Sequence, residues 1–265
     1  MENSLNLLLI GDVVGSPGRE VLKRCVALLR EQYHIHACIA NGENAAGGFG
    51  LTAQTAEEIF ATGVDFITGG NHIFDKRDFA EYLETSNRVI RPANYSPGVA
   101  GRGAATFAVN GTTVGVLNLM GRTFMPPVDD PFRCADLCVA ELRARTPIVV
   151  VDLHAEATSE KVALGRYLDG RISCLFGTHT HVQTADEQIL PGGTAYISDL
   201  GMTGPTDGVI GMDAGAVLER FRTGLSERFS VQKTGPKQLC GAVVALDPNS
   251  GRANEIRRIF LKGIA

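Results

Sequence analysis

The 265-residue chain lacks any apolar run of the ~20 residues that a membrane-spanning helix needs. Its opening stretch, MENSLNLLLIGD, carries an early acidic residue and too short an apolar segment for a signal peptide. A cytoplasmic protein without membrane association is therefore expected. No C-x-x-C pair occurs among Cys25, Cys38, Cys134, Cys138, Cys174 and Cys240. Cys134 and Cys138 have an i, i+4 spacing compatible with a metal, but no neighbouring Cys or His completes a set. All six read as reduced thiols, mostly packed as small hydrophobes. Positive charge is also short: 25 Lys and Arg stand against 29 Asp and Glu, a formal net charge of −4. That balance argues against holding polymeric nucleic acid by phosphate neutralisation. It leaves room for a small phosphorylated substrate if a metal supplies the positive charge. The glycine cluster GGFG at 47–50 lacks both G-x-G-x-x-G and Walker spacing, so it reads as a place of close backbone packing. No repeat, linker or low-complexity block interrupts the chain, and one domain over 1–265 is the economical reading.

Alternation is what the chain has in place of these. Leu5 to Ile10 predicts a strand buried on both faces, followed by GDVVGSPG and a helix over about 19–32. Val21, Leu22, Cys25, Leu28 and Leu29 would form the inner face of that helix. Ala37 to Ala40 and Phe66 to Thr68 predict two further strands, followed by NGENAAGGFG and GGNHIFD. Helices are expected after each, one with a Thr55/Glu58 capping box and one over 79–83. Strand–loop–helix order implies parallel strands with helical crossovers. In the middle, Asn110-Gly111 predicts a hairpin between 105–109 and 113–119. A helix over 133–145, a strand over 148–153, a helix over 160–168 and a strand over 172–176 resume the alternation. Strands are expected near 194–197, 229–232, 241–246 and 256–260.

The residues that close these strands share one property. The first strand is followed by Asp12, the second by Asn41, Glu43 and Asn44, the third by Asn71 and His72. The fourth ends with Asp152, His154 and Glu156, and the fifth with His179 and His181. Ligand sites of open α/β sheets form outside the carboxyl ends of strands. In an extended segment, residues i and i+2 face the same side, so His179 and His181 would both reach one object. The object that most often takes neutral imidazole is a transition metal, although an isolated H-x-H is more often a His pair in a polar loop. Singly, each residue has an ordinary structural use: Asp12 as a cap, Glu43 and Asn71 in turns, His72 or His154 as a hydrogen-bonded histidine. Together, on one sheet edge, they are too many for the three or four protein ligands of a single zinc. The count suits two metals ~3.5–4 Å apart, with Glu43 as a bridging carboxylate.

GDVVG, NGEN, GGNH, HAEATSEK and GTHTHVQTAD resemble the motifs of the calcineurin-like metallophosphoesterases. More closely, they are similar to the YmdB-type cyclic-nucleotide phosphodiesterases of bacteria, and the likeness extends to RPANY, NLMGR and DLGMTGP. The resemblance implies an α/β fold of four layers, two mixed β-sheets packed face to face with helices outside. It also implies that Asp12, Glu43, Asn44 and His181 hold one metal and that Glu43, Asn71, His154 and His179 hold the other. His72 would be the proton donor, with Arg122 and Asn94 as substrate contacts or, equally, loop braces. The wider superfamily uses Asp-x-His as its first motif and an Asp in its second. Here Val14 and Glu43-Asn44 stand instead, which agrees with the YmdB subgroup. Oxygen-rich ligation without thiolate suits iron or manganese and leaves zinc open. The implied activity is hydrolysis of nucleoside 2′,3′-cyclic phosphates, with 3′,5′-cyclic nucleotides as weaker substrates. A phosphomonoesterase or phosphoprotein phosphatase, or a regulatory protein with a structural metal site, stand as alternatives. Homo-oligomerisation is left open.

Overall fold

The structure is a computed structural model that describes residues 4–264. Its elements run β1 (Leu5–Ile10), β2 (Asp12–Val13), α1 (Gly15–Gln32), β3 (Ala37–Asn41), α2 (Ala53–Phe60), β4 (Phe66–Thr68), α3 (Phe79–Thr85) and β5 (Val89–Ile90). Then follow β6 (Ala104–Val109), β7 (Thr112–Met120), α4 (Pro131–Arg143), β8 (Val149–His154), α5 (Thr158–Leu168) and β9 (Cys174–Thr178). The last are β10 (Gln188–Ile189), β11 (Ala195–Ile197), β12 (Met202–Pro205), α6 (Ala214–Thr223), β13 (Lys237–Leu246) and β14 (Ala253–Ile264).

The strands form two mixed sheets. One has the order β2-β12-β13-β1-β3-β4-β5, with β14 on the other edge of β13; the other has the order β10-β11-β9-β8-β7-β6. In the first sheet β1, β3, β4 and β5 are parallel, and β13 returns antiparallel to β1. In the second, β7, β8, β9 and β11 are parallel, with β6 and β10 antiparallel at the edges. Strand alternation shows how they stack. Leu7 and Leu9 of β1 join Val116, Val150 and Phe176 of the opposing sheet in an inter-sheet core. Leu8 and Ile10 face the other way, against Val21, Leu22, Val26 and Leu29 of α1 and Ile59 of α2. On the far side, Leu117, Leu119, Val151 and Leu153 pack against α4 and α5. The four layers are therefore helix, sheet, sheet, helix, as the resemblance implied.

Local signals explain most elements. Asn110 and Gly111 both have positive φ (47° and 79°), which the hairpin between β6 and β7 needs. Asp130 caps α4 and Pro131 opens it, so that helix begins before the expected residue 133. Three expectations are corrected. The capping box of α2 is Thr52 with Thr55; Glu58 lies further in and pairs with Arg19 at 2.7 Å. Leu28 is exposed and Val26 takes its place on the buried face of α1. Residues 229–232 form no strand, only a bridge from Val231 to Met212. Among the described residues no helix is long and apolar enough to cross a membrane, and the six cysteines are unpaired.

Candidate metal centre

The parallel strands of both sheets end at the same end of the sandwich, and there the donors meet. Asp12 starts β2, directly after β1; Glu43 and Asn44 follow β3; Asn71 and His72 follow β4. These come from the first sheet. His154 closes β8, and His179 and His181 follow β9, so they come from the second. The expectation of one sheet edge is thus corrected to two edges facing each other. Buried polar contacts join them: Asp152 accepts from Thr68 Oγ1, from Thr178 Oγ1 at 2.7 Å and from Asn41 Nδ2 at 3.0 Å. Asp152 therefore ties the sheets together rather than facing the centre. Burial raises its pKa, outweighing those hydrogen bonds, to about 6.

The His179/His181 pair departs from the extended geometry expected of it. Both residues have positive φ, 99° and 65°, a region that costs of order 1–3 kcal/mol for a non-glycine residue. The imidazoles consequently diverge. His179 Nδ1 lies 3.1 Å from His154 Nε2, whereas His181 Nε2 lies 3.1 Å from Asn44 Nδ2 and 4.0 Å from Asp12 Oδ1. The intervening Thr180 is held by Asp199, whose Oδ2 accepts from Thr180 N (3.2 Å) and Oγ1 (2.8 Å). The same oxygen pairs with Lys161 Nζ at 2.6 Å, both side chains being 1% exposed. Sequence reasoning missed this clamp. Its signal was Lys161 itself, a charge at i, i+3 and i+7 from Leu164 and Leu168 on the buried face of α5.

Three imidazoles have their outer nitrogens occupied. His154 Nδ1 donates to Thr178 Oγ1 (2.9 Å), whose own hydroxyl proton goes to Asp152. His181 Nδ1 donates to Ile210 O (2.8 Å), and His179 Nε2 faces Glu156 Oε2 at 3.3 Å. Each arrangement leaves the other ring nitrogen turned inward as a lone-pair donor, the way outer partners orient metal-bound histidines.

The centre is crowded with groups that have no proton to share. Around His154 Nε2 stand Asn71 Oδ1 at 2.9 Å, Glu43 Oε1 at 3.0 Å and His179 Nδ1 at 3.1 Å. One ring nitrogen can satisfy only one of them. Asp12 Oδ1 is buried and has no hydrogen-bond partner among the described residues, although Oδ2 accepts from His179 N at 3.1 Å. Burial raises the pKa of Asp12. Glu43, His154 and His179 offer atoms within 4.8 Å of one another. A cation relieves all of these features at once, so the residues fit a metal. Without one, a proton on His154 partly takes its place. Burial opposes that proton, but the charge of Glu43 overrides it and pushes the pKa up to about 9. Burial likewise opposes ionisation of Glu43, and His154 outweighs it, holding the carboxyl down at about 2. His179 is pushed down to about 3 by burial and by the neighbouring His154 charge.

Glu43 touches both halves of the cluster, since Oε1 also lies 3.2 Å from Asn44 Nδ2 and Oε2 accepts from His72 N at 3.0 Å. Asn44 turns its amide nitrogen inward; rotation about χ2 puts its oxygen in the same place. The His72 ring stands outside the cluster, with Nδ1 on Asp75 Oδ2 (2.9 Å) and Phe49 edge-on at 5.0 Å. Gly48, at φ 95°, lets the glycine cluster pack closely, as expected: a Cβ there would lie 2.7 Å from Val231 Cγ2. Asn94 takes the bracing role. It donates to Met120 O and Asp129 O and accepts from Met120 N, and it is buried away from the cluster. Arg122 is exposed, its backbone N–H on Glu160 and its guanidinium 3.7 Å from Asp130. Beside the cluster opens a cleft of about 320 Å³, lined by Glu43, Asn44, His72, His179 and His181 on one wall and by apolar side chains on the other.

Two sheets in four layers, with donors converging from strand ends of both, define the phosphoesterase class of α/β sandwich. A 5′-nucleotidase from Candida albicans shares that fold, with a TM-score of 0.56 at 11% identity over 98% of this chain and 51% of its own. Within the class, the chain belongs to the YmdB-like protein family, whose model matches residues 8–259. It is 49% identical over 257 residues to the 2′,3′-cyclic-nucleotide 2′-phosphodiesterase of Bacillus subtilis (strain 168), covering 97% of each chain. The crystal structure of a novel phosphatase from Mycoplasma pneumoniae has a TM-score of 0.92 at 35% identity, covering 99% of this chain and 95% of that one. The crystal structure of a hypothetical protein from Thermus thermophilus also gives 0.92, at 39% identity, covering 98% of this chain and 100% of that one.

Proposed function

We propose that this chain is a metal-dependent phosphoric diester hydrolase acting on nucleoside 2′,3′-cyclic phosphates, with 3′,5′-cyclic nucleotides as poorer substrates. The observation that carries the reading is the set of three inward-facing imidazole nitrogens grouped with Glu43 and the unpartnered Asp12 oxygen, beside an open cleft. Support for the substrate comes from the Bacillus subtilis relative, whose name specifies it. Asp12, Glu43, Asn44 and His181 would hold one ion and Glu43, Asn71, His154 and His179 the other. Iron or manganese suits this oxygen- and nitrogen-rich set, with zinc the alternative. Such ions, when bound, supply Lewis acidity toward a phosphoryl group.

The chain's own residues do the rest. Hydrolysis forms a bond from water to phosphorus and breaks the bond from phosphorus to a ribose oxygen, which must leave with a proton. His72 lines the cleft, and Asp75 engages its Nδ1, so Nε2 is the atom that delivers that proton. The cluster is open on this side, with His72 and His179 side chains 30% and 24% exposed. A closed structural metal site has no such opening. The soluble cytoplasmic setting expected of the chain accords with six unpaired thiols. Turnover by metal-reconstituted protein tests the reading. Adenosine 2′,3′-cyclic phosphate should be consumed at least ~10-fold faster than adenosine 3′-phosphate or a phosphopeptide. Faster release of phosphate from the monoesters would overturn it in favour of a phosphomonoesterase.

A further inference from the structure

We propose that the apolar wall of the cleft is the subsite for the nucleobase, and that it holds the base by stacking and burial without reading its hydrogen-bonding edge. The proposal rests on the cyclic-nucleotide reading above. Between β12 and β13 the chain leaves the sheet for residues 206–236, an excursion that contributes no strand. Its helix, α6, buries only Val217. Leu218 is 55% exposed and Phe221 83%. Core packing gives no reason for so much apolar surface on a ten-residue helix.

The place of that surface gives one. Val209, Ile210, Met212, Val217, Phe221 and Phe229 line the same cleft as the metal-ligand candidates. Ile210 O accepts from His181 Nδ1 at 2.8 Å, so wall and cluster are tied together. Bridges from Val209 to Met212 and from Met212 to Val231 hold the excursion in shape. Its inner side chains close on Gly48, where a Cβ would lie 3.0 Å from Met212 Cε. Phe49, next to Gly48, adds an aromatic ring beside His72. The cleft therefore suits a ligand that is anionic at one end and flat and apolar at the other, which describes a nucleotide with its phosphate on the cluster.

The six side chains of the wall carry no hydrogen-bond donor or acceptor apart from a thioether sulfur. The backbone carbonyls of Val209, Ile210 and Met212 are already engaged, by Met212 N, His181 Nδ1 and Val209 N. A site that makes no hydrogen bonds to a group discriminates only weakly among its variants. Adenine, guanine, cytosine and uracil should therefore be accepted with kcat/KM values within roughly 10-fold of one another.

The test compares metal-reconstituted wild type, Phe229→Ala and Phe221→Ala on nucleoside 2′,3′-cyclic phosphates and on baseless ribose 2′,3′-cyclic phosphate. Stacking of one base on an aromatic side chain corresponds to roughly 5- to 150-fold in affinity. Each variant should lower the ratio of nucleoside to baseless kcat/KM roughly 10-fold, mainly through KM. Phe221 is so exposed that its removal leaves the fold intact. An unchanged ratio in both variants would overturn the subsite. So would a preference above ~100-fold for one base, because some group must then read its edge. A third overturning result is dissociation of an oligomer by Phe221→Ala with the ratio unchanged, which would make the wall an interface between copies. Hydrolysis of the baseless compound with an unchanged ratio refutes the subsite alone. Wild type inert on every cyclic phosphate refutes the cyclic-nucleotide reading and the subsite with it.

Discussion

Gly70 offers the sharpest perturbation of the donor cluster. A Cβ at this position would lie 2.2 Å from Glu43 Oε2 and 2.5 Å from both Cδ2 and Nε2 of His154. Ordinary contact begins at 3.4 Å, so Gly70→Ala must displace the Glu43 carboxylate or the His154 ring by about 1 Å. Both side chains are buried and cannot swing into solvent. Metal–ligand bonds tolerate only ~0.2 Å, and a 1 Å misplacement costs ~10²-fold in rate. The backbone does not object, because Gly70 is not among the glycines with positive φ. Overpacking at one methyl costs about 1–3 kcal/mol against the ~5–15 kcal/mol that keeps a domain folded. Gly70→Ala should therefore fold, melt within ~10 °C of wild type, and lose metal together with at least ~10²-fold in activity. Elemental analysis, calorimetric metal titration and thermal melting followed by circular dichroism measure the three quantities. Wild-type metal content and activity in a folded Gly70→Ala protein would refute the premise that Glu43 and His154 hold a common ion.

The purified wild type should carry about two transition-metal ions per chain. Glu43→Gln should deplete both and Asp12→Asn mainly one, so equal single-site losses in the two variants would deny Glu43 its bridging place. His72→Ala should keep its metal, lose ~10²–10⁴-fold on a 2′,3′-cyclic nucleotide and much less on bis(4-nitrophenyl) phosphate, whose phenolate leaves without a proton; parallel losses with metal release would make His72 a ligand. Metal uptake should release a proton, because His154 titrates at about 9 in the metal-free protein and an ion must displace its Nε2 hydrogen. Apparent affinity should then rise ~10-fold per pH unit toward 9, the sign opposite to that of the metal-free fold. That fold keeps the His154 contribution in full below pH 6.5 and loses it as pH rises through about 9. Dye-detected proton release in weak buffer at pH 7.5 measures the effect, and none on saturation contradicts the assignment. Lys161→Met leaves Asp199 buried without its cation, an expected cost of about 3–5 kcal/mol; it should lower metal content through the 179–181 loop, and unchanged content would make the pair purely structural.

Much of this protein is local in origin and so legible in its sequence. Leu7–Ile10 is apolar at successive positions because both faces of β1 are covered, by the opposing sheet and by α1. Asn110-Gly111 makes its turn whatever surrounds it, because both residues tolerate positive φ. Oxygen and nitrogen donors follow the strands because strand ends are where a parallel sheet exposes its loops, and no distant partner is needed to see them. Sheet membership is different. An apolar run ending in a polar donor reads the same in β3 and in β8, and only pairing decides which sheet each joins. β1 acquires its antiparallel neighbour β13 from more than 230 residues away. The divergence of His179 and His181 was equally hidden, since their left-handed backbone is held by Asp199 and Lys161, which no spacing rule connects to them. Their inward nitrogens depend on Ile210 O and Glu156, and that of His154 on Thr178. The wall opposite them was unreadable for a further reason. Within α6, Ala214, Val217, Leu218 and Phe221 recur at helical spacing, which predicts an apolar face but not its neighbour, and only the folded chain shows that Val217 and Phe221 meet the cleft rather than the core.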